Sequence, residues 1–178
     1  MLVFSVTGLT LNHAASIGAE PQVSAMTKQL SPAGHAALAR GQESGLAPLP
    51  GPVAAELEAA TGITAGQGEA EWSADEVYIA VPGPGRDAWA SIDRASGRIE
   101  AEVTDRGAVS FLNDLHKGRN TGTAWFWFID LLAVASIIFT ITGLLLLQLH
   151  ARKRPSTWPL VGLGTALPVI VILFFLHV

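Results

Sequence analysis

Two apolar runs close the chain, Ala124 to Leu149 with one formal charge (Asp130) and Trp158 to Leu176 with none. Each has the roughly 20 apolar residues that a helix needs to cross the ~30 Å hydrocarbon core. Lipid leaves such runs little choice but helix, because every backbone N–H and C=O must be satisfied internally. Between them stands Arg152-Lys153-Arg154-Pro155, a basic cluster that the positive-inside rule assigns to the cytoplasm. Trp125 to Phe128 at one end of the first run, and Trp158 at the start of the second, fit interfacial aromatic belts. Met1 to Leu11 is also apolar and runs into Asn12-His13, but eleven residues cover only about 16 Å of helix. The expectation is the outer half of a first transmembrane helix whose beginning lies outside this sequence; the alternative is a short interfacial or re-entrant segment. With the basic connector in the cytoplasm, residues 14–123 and the C-terminus fall on the outer side.

Alternation organises the outer segment. Val77/Ile79/Val81 and Ile99/Ala101/Val103 recur with period two, the mark of strands with one buried face. Four short runs are expected: Glu69 to Ser73, Glu76 to Val81, Ala88 to Asp93 and Arg98 to Thr104. Turn residues separate them. A helix over Pro52 to Thr61 precedes them, with Pro at its first position and Gly62 beyond its end. Upstream, Ala14 to Pro52 is rich in Ala, Gly, Pro and Ser, and Leu46 to Pro52 reads as an extended linker. Two weak helices are expected there, including Ala25 to Leu30 and running from Pro32 to Ala39. Trp72, Tyr78 and Trp89 read as core, and the Asp and Glu scattered on the meander as a solvated face.

The expected fold is an α-helical transmembrane bundle of three spans, the first truncated, carrying a small extracytoplasmic α+β domain with a helix on an antiparallel sheet. Its divisions are 1–13 (partial first span), 14–51 (linker region), 52–108 (α+β domain) and 109–123 (interfacial lead-in). The second span, 124–150, the connector, 151–157, and the third span, 158–178, complete it.

Charge narrows the partners. The net charge is −4, but residues 20–123 hold eight Lys and Arg against fourteen Asp and Glu. An acidic outer segment argues against nucleic acid and against docking on anionic lipid. The chain has no cysteine, which removes disulfides, thiolate metal sites and a cysteine nucleophile. Pro82 to Gly85 lacks the lysine of a phosphate loop.

Thr7-Gly-Leu-Thr-Leu-Asn-His13 looks like the end of the first helix of the PepSY-associated transmembrane helix family. Asp114-Leu-His-Lys-Gly-Arg119, followed by Trp127, Asp130-Leu131 and Thr142-Gly-Leu144, looks like its second helix. The Ile92 to Ile99 hairpin and the Pro52 to Gly62 helix are similar to a PepSY unit. The chain departs from the family at the cytoplasmic start of the first helix, where the usual histidine is absent. The resemblance implies a membrane-anchored, extracytoplasmic PepSY-like domain in a bacterial inner-membrane protein. It also implies a distant relation to haem-containing ferric siderophore reductases.

Haem b needs axial ligands, usually His, projecting from helices in an apolar bundle. The candidates are His13, His116, His150 and His177, with Asp130 as a hydrogen-bond partner that fixes a ligand's tautomer. His13 and His116 are expected at the same level and are the candidate ligands to haem iron, with His177 an alternate partner to either. His116 and His150 are about 51 Å apart along a continuous helix and cannot share one haem. Each histidine also has a plain reading as an interfacial polar residue, and His150 as a helix C-cap. Asp130 alternatively pairs with Arg119 or Lys117 or sits in headgroup water. His35 reads as a surface residue. Gly8 and Gly143 most simply permit close helix packing.

Two functions from different classes follow. One is a haem-binding electron-transfer subunit of a membrane ferric reductase, serving a periplasmic acceptor such as a ferric chelate in metal uptake. The other is a non-enzymatic, membrane-anchored PepSY module that binds a protein partner, a peptidase or an uptake component. Homo- or hetero-oligomers fit both.

Overall fold

The four strands expected from alternation form, and they belong to a wider sheet than the sequence suggests. The fold is that of a computed structural model describing residues 2–65, 68–151 and 154–175. It divides into two units, the first ending at Trp127 and the second starting at Phe128. In the first unit the order is α1 (Leu2–Asn12), α2 (Ala14–Ile17), β1 (Gln22–Gln29), α3 (Pro32–Leu38), β2 (Gly45–Pro48) and α4 (Gly51–Thr61). Then follow β3 (Glu69–Trp72), β4 (Glu76–Ala80), β5 (Arg86–Asp93), β6 (Arg98–Asp105) and α5 (Gly107–Lys117). The strands make one antiparallel sheet in the order β1-β6-β5-β4-β3-β2.

One face of that sheet is the core. Ala70, Trp72, Val77, Ile79, Ala88, Ala90, Ile92, Ile99 and Ala101 cluster there with Leu38 of α3 and with Val53 and Leu57 of α4. Burial alternates along β3 to β5 and into β6, because successive side chains point to opposite faces. Trp72 is in this core, and its Nε1 donates to the Ala47 carbonyl at 3.1 Å. Tyr78 and Trp89 are not. Each lies out of phase with its buried neighbours and stands on the opposite face.

The region expected as linker, 14–51, is instead part of the sheet. Residues 22–29 are strand, not the helix expected over Ala25 to Leu30, and pair with β6 along their length from Gln22↔Asp105 to Gln29↔Arg98. The strand is exposed on both faces, so it carries no alternation, and ladder hydrogen bonds to a distant segment override a weak helical preference. The proline-rich stretch is extended as read, but Gly45–Pro48 pairs with β3. Pro48 is tolerated because β2 is an edge strand. The α+β domain therefore starts near Gln22, not at residue 52.

Helices α3 and α4 form where Pro and Gly placed them. Gly62 ends α4 in the left-handed region (φ 70°), its N–H bonded to the Glu58 carbonyl, as a C-terminal glycine should. Ser31 caps α3 by accepting from the Gly34 N–H at 3.0 Å. The Glu56 carboxylate of α4 accepts from both the Ser31 hydroxyl (2.6 Å) and its N–H (2.9 Å), joining the two helices. These bonds, the hydroxyl's first and the backbone's second, hold the Glu56 carboxyl below its usual 4.5. A carboxyl depressed in the folded state stabilises fully above its unfolded value and loses that contribution as pH falls through the folded one. Denaturation midpoints measured from neutral pH downward should therefore drop below pH 4.5, and less steeply in Glu56→Gln.

Residues 109–123 are more than a lead-in. Helix α5 is docked on the β4–β5 turn by Asp114, which is 5% exposed. Its Oδ2 accepts from the Gly85 N–H (2.8 Å) and from the Arg106 guanidinium (3.1 Å), whose other nitrogen pairs with Asp87 at 2.6 Å. Gly85 has φ 65°, and a Cβ there would come within 2.7 Å of the Phe111 backbone. Both the turn and the close approach require glycine.

Helix α6 (Gly122–His150) begins in the first unit and continues in the second, where α7 (Thr157–Phe175) follows. Both have the length and apolarity to cross a membrane, with mean hydropathy 2.3 and 2.1. Within α6, Ser136, Thr140 and Thr142 donate their hydroxyls to carbonyls one turn back, and Thr165 does so in α7. That satisfies polar side chains where lipid offers no partner. Among the described residues these two are the candidate spans; α1 has eleven residues.

Candidate functional site

The histidine candidates fall in different settings. His116, on α5, rests against α1. Its Nδ1 is 2.8 Å from the Thr7 hydroxyl, its ring lies 5.3 Å from that of Phe4, and its Cε1 would meet a Cβ on Gly8 at 3.5 Å. One turn along, the Thr10 hydroxyl donates to Oδ1 of the buried Asn113 at 3.0 Å. Gly8 thus serves close packing, as read. Gly143 has open space around it.

His13 stands at the end of α1, exposed, with Nδ1 3.1 Å from the Leu9 carbonyl. A carbonyl only accepts, so Nδ1 carries the proton and Nε2 its lone pair in the neutral ring. At 3.6 residues per turn, position 13 is turned roughly 120° to 180° from positions 4, 7 and 8, which hold His116. The two imidazoles therefore project from different faces at this end of α1.

In the second unit, His150 has Nδ1 2.9 Å from the Leu146 carbonyl, the same tautomer lock as at His13. Asp130 is exposed on α6. His177 lies outside the described residues, as do Arg152 and Lys153 of the connector. No three His, Cys, Asp or Glu among the described residues converge as a metal site. His35 is not the plain surface residue expected. Its Nε2 donates to the Arg94 carbonyl at 2.8 Å, tying α3 to the β5–β6 turn.

The first unit's most developed surface is the sheet face opposite the core. Register fixes its membership. Glu76 of β4 lies opposite Asp93, Tyr78 opposite Ser91, and Ala80 opposite Trp89. Ser91 then faces Glu100, and Trp89 faces Glu102, across β5 and β6. Glu69 and Glu71 extend the face along β3. Tyr78 and Trp89, diagonal neighbours, stack with centroids 6.2 Å apart and planes 26° from parallel.

Beside the aromatic pair is a cleft of about 450 Å³ lined by Ser73, Asp75, Glu76, Ser91, Asp93, Ser96, Arg98 and Glu100. The Ser91 hydroxyl donates to Glu76 (2.6 Å), and Arg98 pairs with Glu100. The Ser96 hydroxyl and N–H both donate to Asp93 and hold its carboxyl below the usual 3.8. Carboxylates around a stacked aromatic pair suit the binding of cationic groups. The sequence carried a signal for this face: Tyr78 sits between Val77 and Ile79, in the polar phase of its strand, and Trp89 shares that phase with Ser91.

No curated protein and no solved structure matches the chain. A family model described as PepSY_TM-like matches residues 1–177. With a six-stranded antiparallel sheet and two helices apolar enough to span a bilayer, the chain is a PepSY-associated membrane protein and belongs to the PepSY_TM-like family.

Proposed function

We propose that this protein is a non-enzymatic binding module, held at the bacterial inner membrane by its apolar helices, that presents its sheet on the periplasmic side to a protein partner. The observation that carries this reading is the division of the sheet. One face is filled by α3 and α4, while the other leaves an aromatic pair and a row of carboxylates exposed. A sheet stabilised for its own sake has little use for Glu76 directly opposite Asp93, since like charges in that position repel. The basic connector supports the orientation by the positive-inside rule.

A haem-b electron-transfer role, serving a ferric chelate or another periplasmic acceptor, is the second reading. It is favoured by His13 and His150, whose Nδ1 bonds to carbonyls leave Nε2 as an available axial donor. The packing of His116 weighs against the pair most readily drawn from sequence.

Two measurements on the full chain in its native membrane separate them. A photo-crosslinking residue at Tyr78 should capture a protein partner, and one at His35, on the helix-covered side, should not. A reduced-minus-oxidised spectrum of the purified protein should show no haem bands. Haem bands abolished by His13→Ala, with no capture at Tyr78, would replace the binding module by the redox reading.

A further inference from the structure

We infer that the uncovered sheet face docks a basic segment of the partner, with the Tyr78–Trp89 stack receiving an Arg or Lys side chain and the adjoining cleft supplying the counter-charge. This rests on the binding-module reading and names the chemistry of what binds. The argument is one of charge and shape together.

Carboxylates on this face stand in mutual register. Glu76 and Asp93 oppose each other directly, and Glu102 is opposite Trp89. Among the described residues, Arg98 and Arg106 are the cations ion-paired with carboxylates on this face, at Glu100 and Asp87. Glu69, Glu71, Glu76 and Glu102 form no ion pair among the described residues. Arg106 is also committed to Asp114 below the turn.

The aromatic pair makes the face more than a solvated acidic surface. Tyr78 is 37% exposed and Trp89 half-buried, stacked so that ring surface is presented between carboxylates. A guanidinium or ammonium set over an aromatic face gains cation–π attraction, more when partly desolvated, and an adjacent carboxylate adds a charge-assisted hydrogen bond. A cleft of about 450 Å³ admits such a side chain with its stem. The same charges repel anionic lipid headgroups. That excludes the membrane surface as the occupant and favours a basic stretch of protein.

The test uses the full chain in uncharged nanodiscs and a fluorescein-labelled peptide of alternating Arg and Val, with a Glu–Val peptide as comparison. Anisotropy should report binding of the basic peptide only, weakening as salt is raised. Trp89→Ser should weaken it about tenfold, and the Glu76→Gln, Glu102→Gln pair by a similar factor. Glu58→Gln, on α4 at the covered side, should leave it unchanged. Trp89→Phe, which keeps a ring at that position, should bind nearly as the parent does, so a loss confined to Trp89→Ser reports the stack and not the fold. The inference is overturned if the basic peptide does not bind, if both peptides bind alike, or if the face variants bind as tightly as the parent. Crosslinking from Tyr78 distinguishes the two failures: capture of a protein without basic-peptide binding removes only the charge assignment, whereas no capture removes the binding module itself.

Discussion

Asp114→Ala is expected to lower the stability of the sheet-bearing unit by about 2–4 kcal/mol, the range for removing one partner of a buried pair, discounted because Arg106 keeps some solvent. The side chain of Arg106 is 23% exposed and that of Asp114 only 7%, so the loss leaves a guanidinium with half its partners and an orphaned Gly85 N–H. Asn keeps an acceptor for that N–H, so Asp114→Asn should lose roughly half as much. Gly85→Ala attacks the same joint from the other side, since φ 65° and the Phe111 backbone both oppose a Cβ. Because the two positions share one contact, the double variant should be less damaging than the sum of the singles. Urea unfolding in detergent, followed by circular dichroism of the sheet-bearing unit, measures all four. Additive losses would mean that α5 is not held by this joint.

How much of this was legible in the sequence depends on whether each signal is local. Helix α4 lies between Pro and Gly62, strands β3 to β6 alternate, and α6 and α7 are long apolar runs. Each is written in consecutive residues. Strand β1 is written nowhere locally. It is exposed on both faces and exists because β6, far along the chain, offers it a ladder. The role of Asp114 needs a left-handed glycine in one turn and a helix arriving from another segment, which no spacing announces. The histidines show the limit in a different way. His13 and His116 fall at ends of apolar segments, which suggested one level and one cofactor. Which face of α1 meets α5 decides whether they meet, and packing through Phe4, Thr7 and Gly8 turns His13 away. The binding face was partly legible: two aromatics in the polar phase of their strands were readable, but their phase was outweighed by the usual burial of Trp and Tyr.

Cutting the chain at the boundaries that periodicity suggests should abolish folding. A fragment of residues 52–108 keeps α4 and β3 to β6, but it loses Leu30, Leu38 and Ala47 from the buried cluster. Two buried leucines alone are worth roughly 3–6 kcal/mol, against about 5–15 kcal/mol for a whole domain. The further losses are the acceptor for the buried Trp72 N–H at Ala47, the Ser31–Glu56 link between the helices, and every ladder bond between β1 and β6. Asp114 goes as well, freeing the Gly85 turn. What remains is a four-stranded meander whose core face is covered by one short helix. A fragment from Glu20 to Gly118 keeps all of these groups and omits the apolar helices, so it should unfold in a single cooperative urea transition with dispersed amide resonances. The 52–108 fragment should give neither. Cooperative unfolding of the shorter piece would show that β1, α3 and β2 decorate an already stable domain instead of completing it.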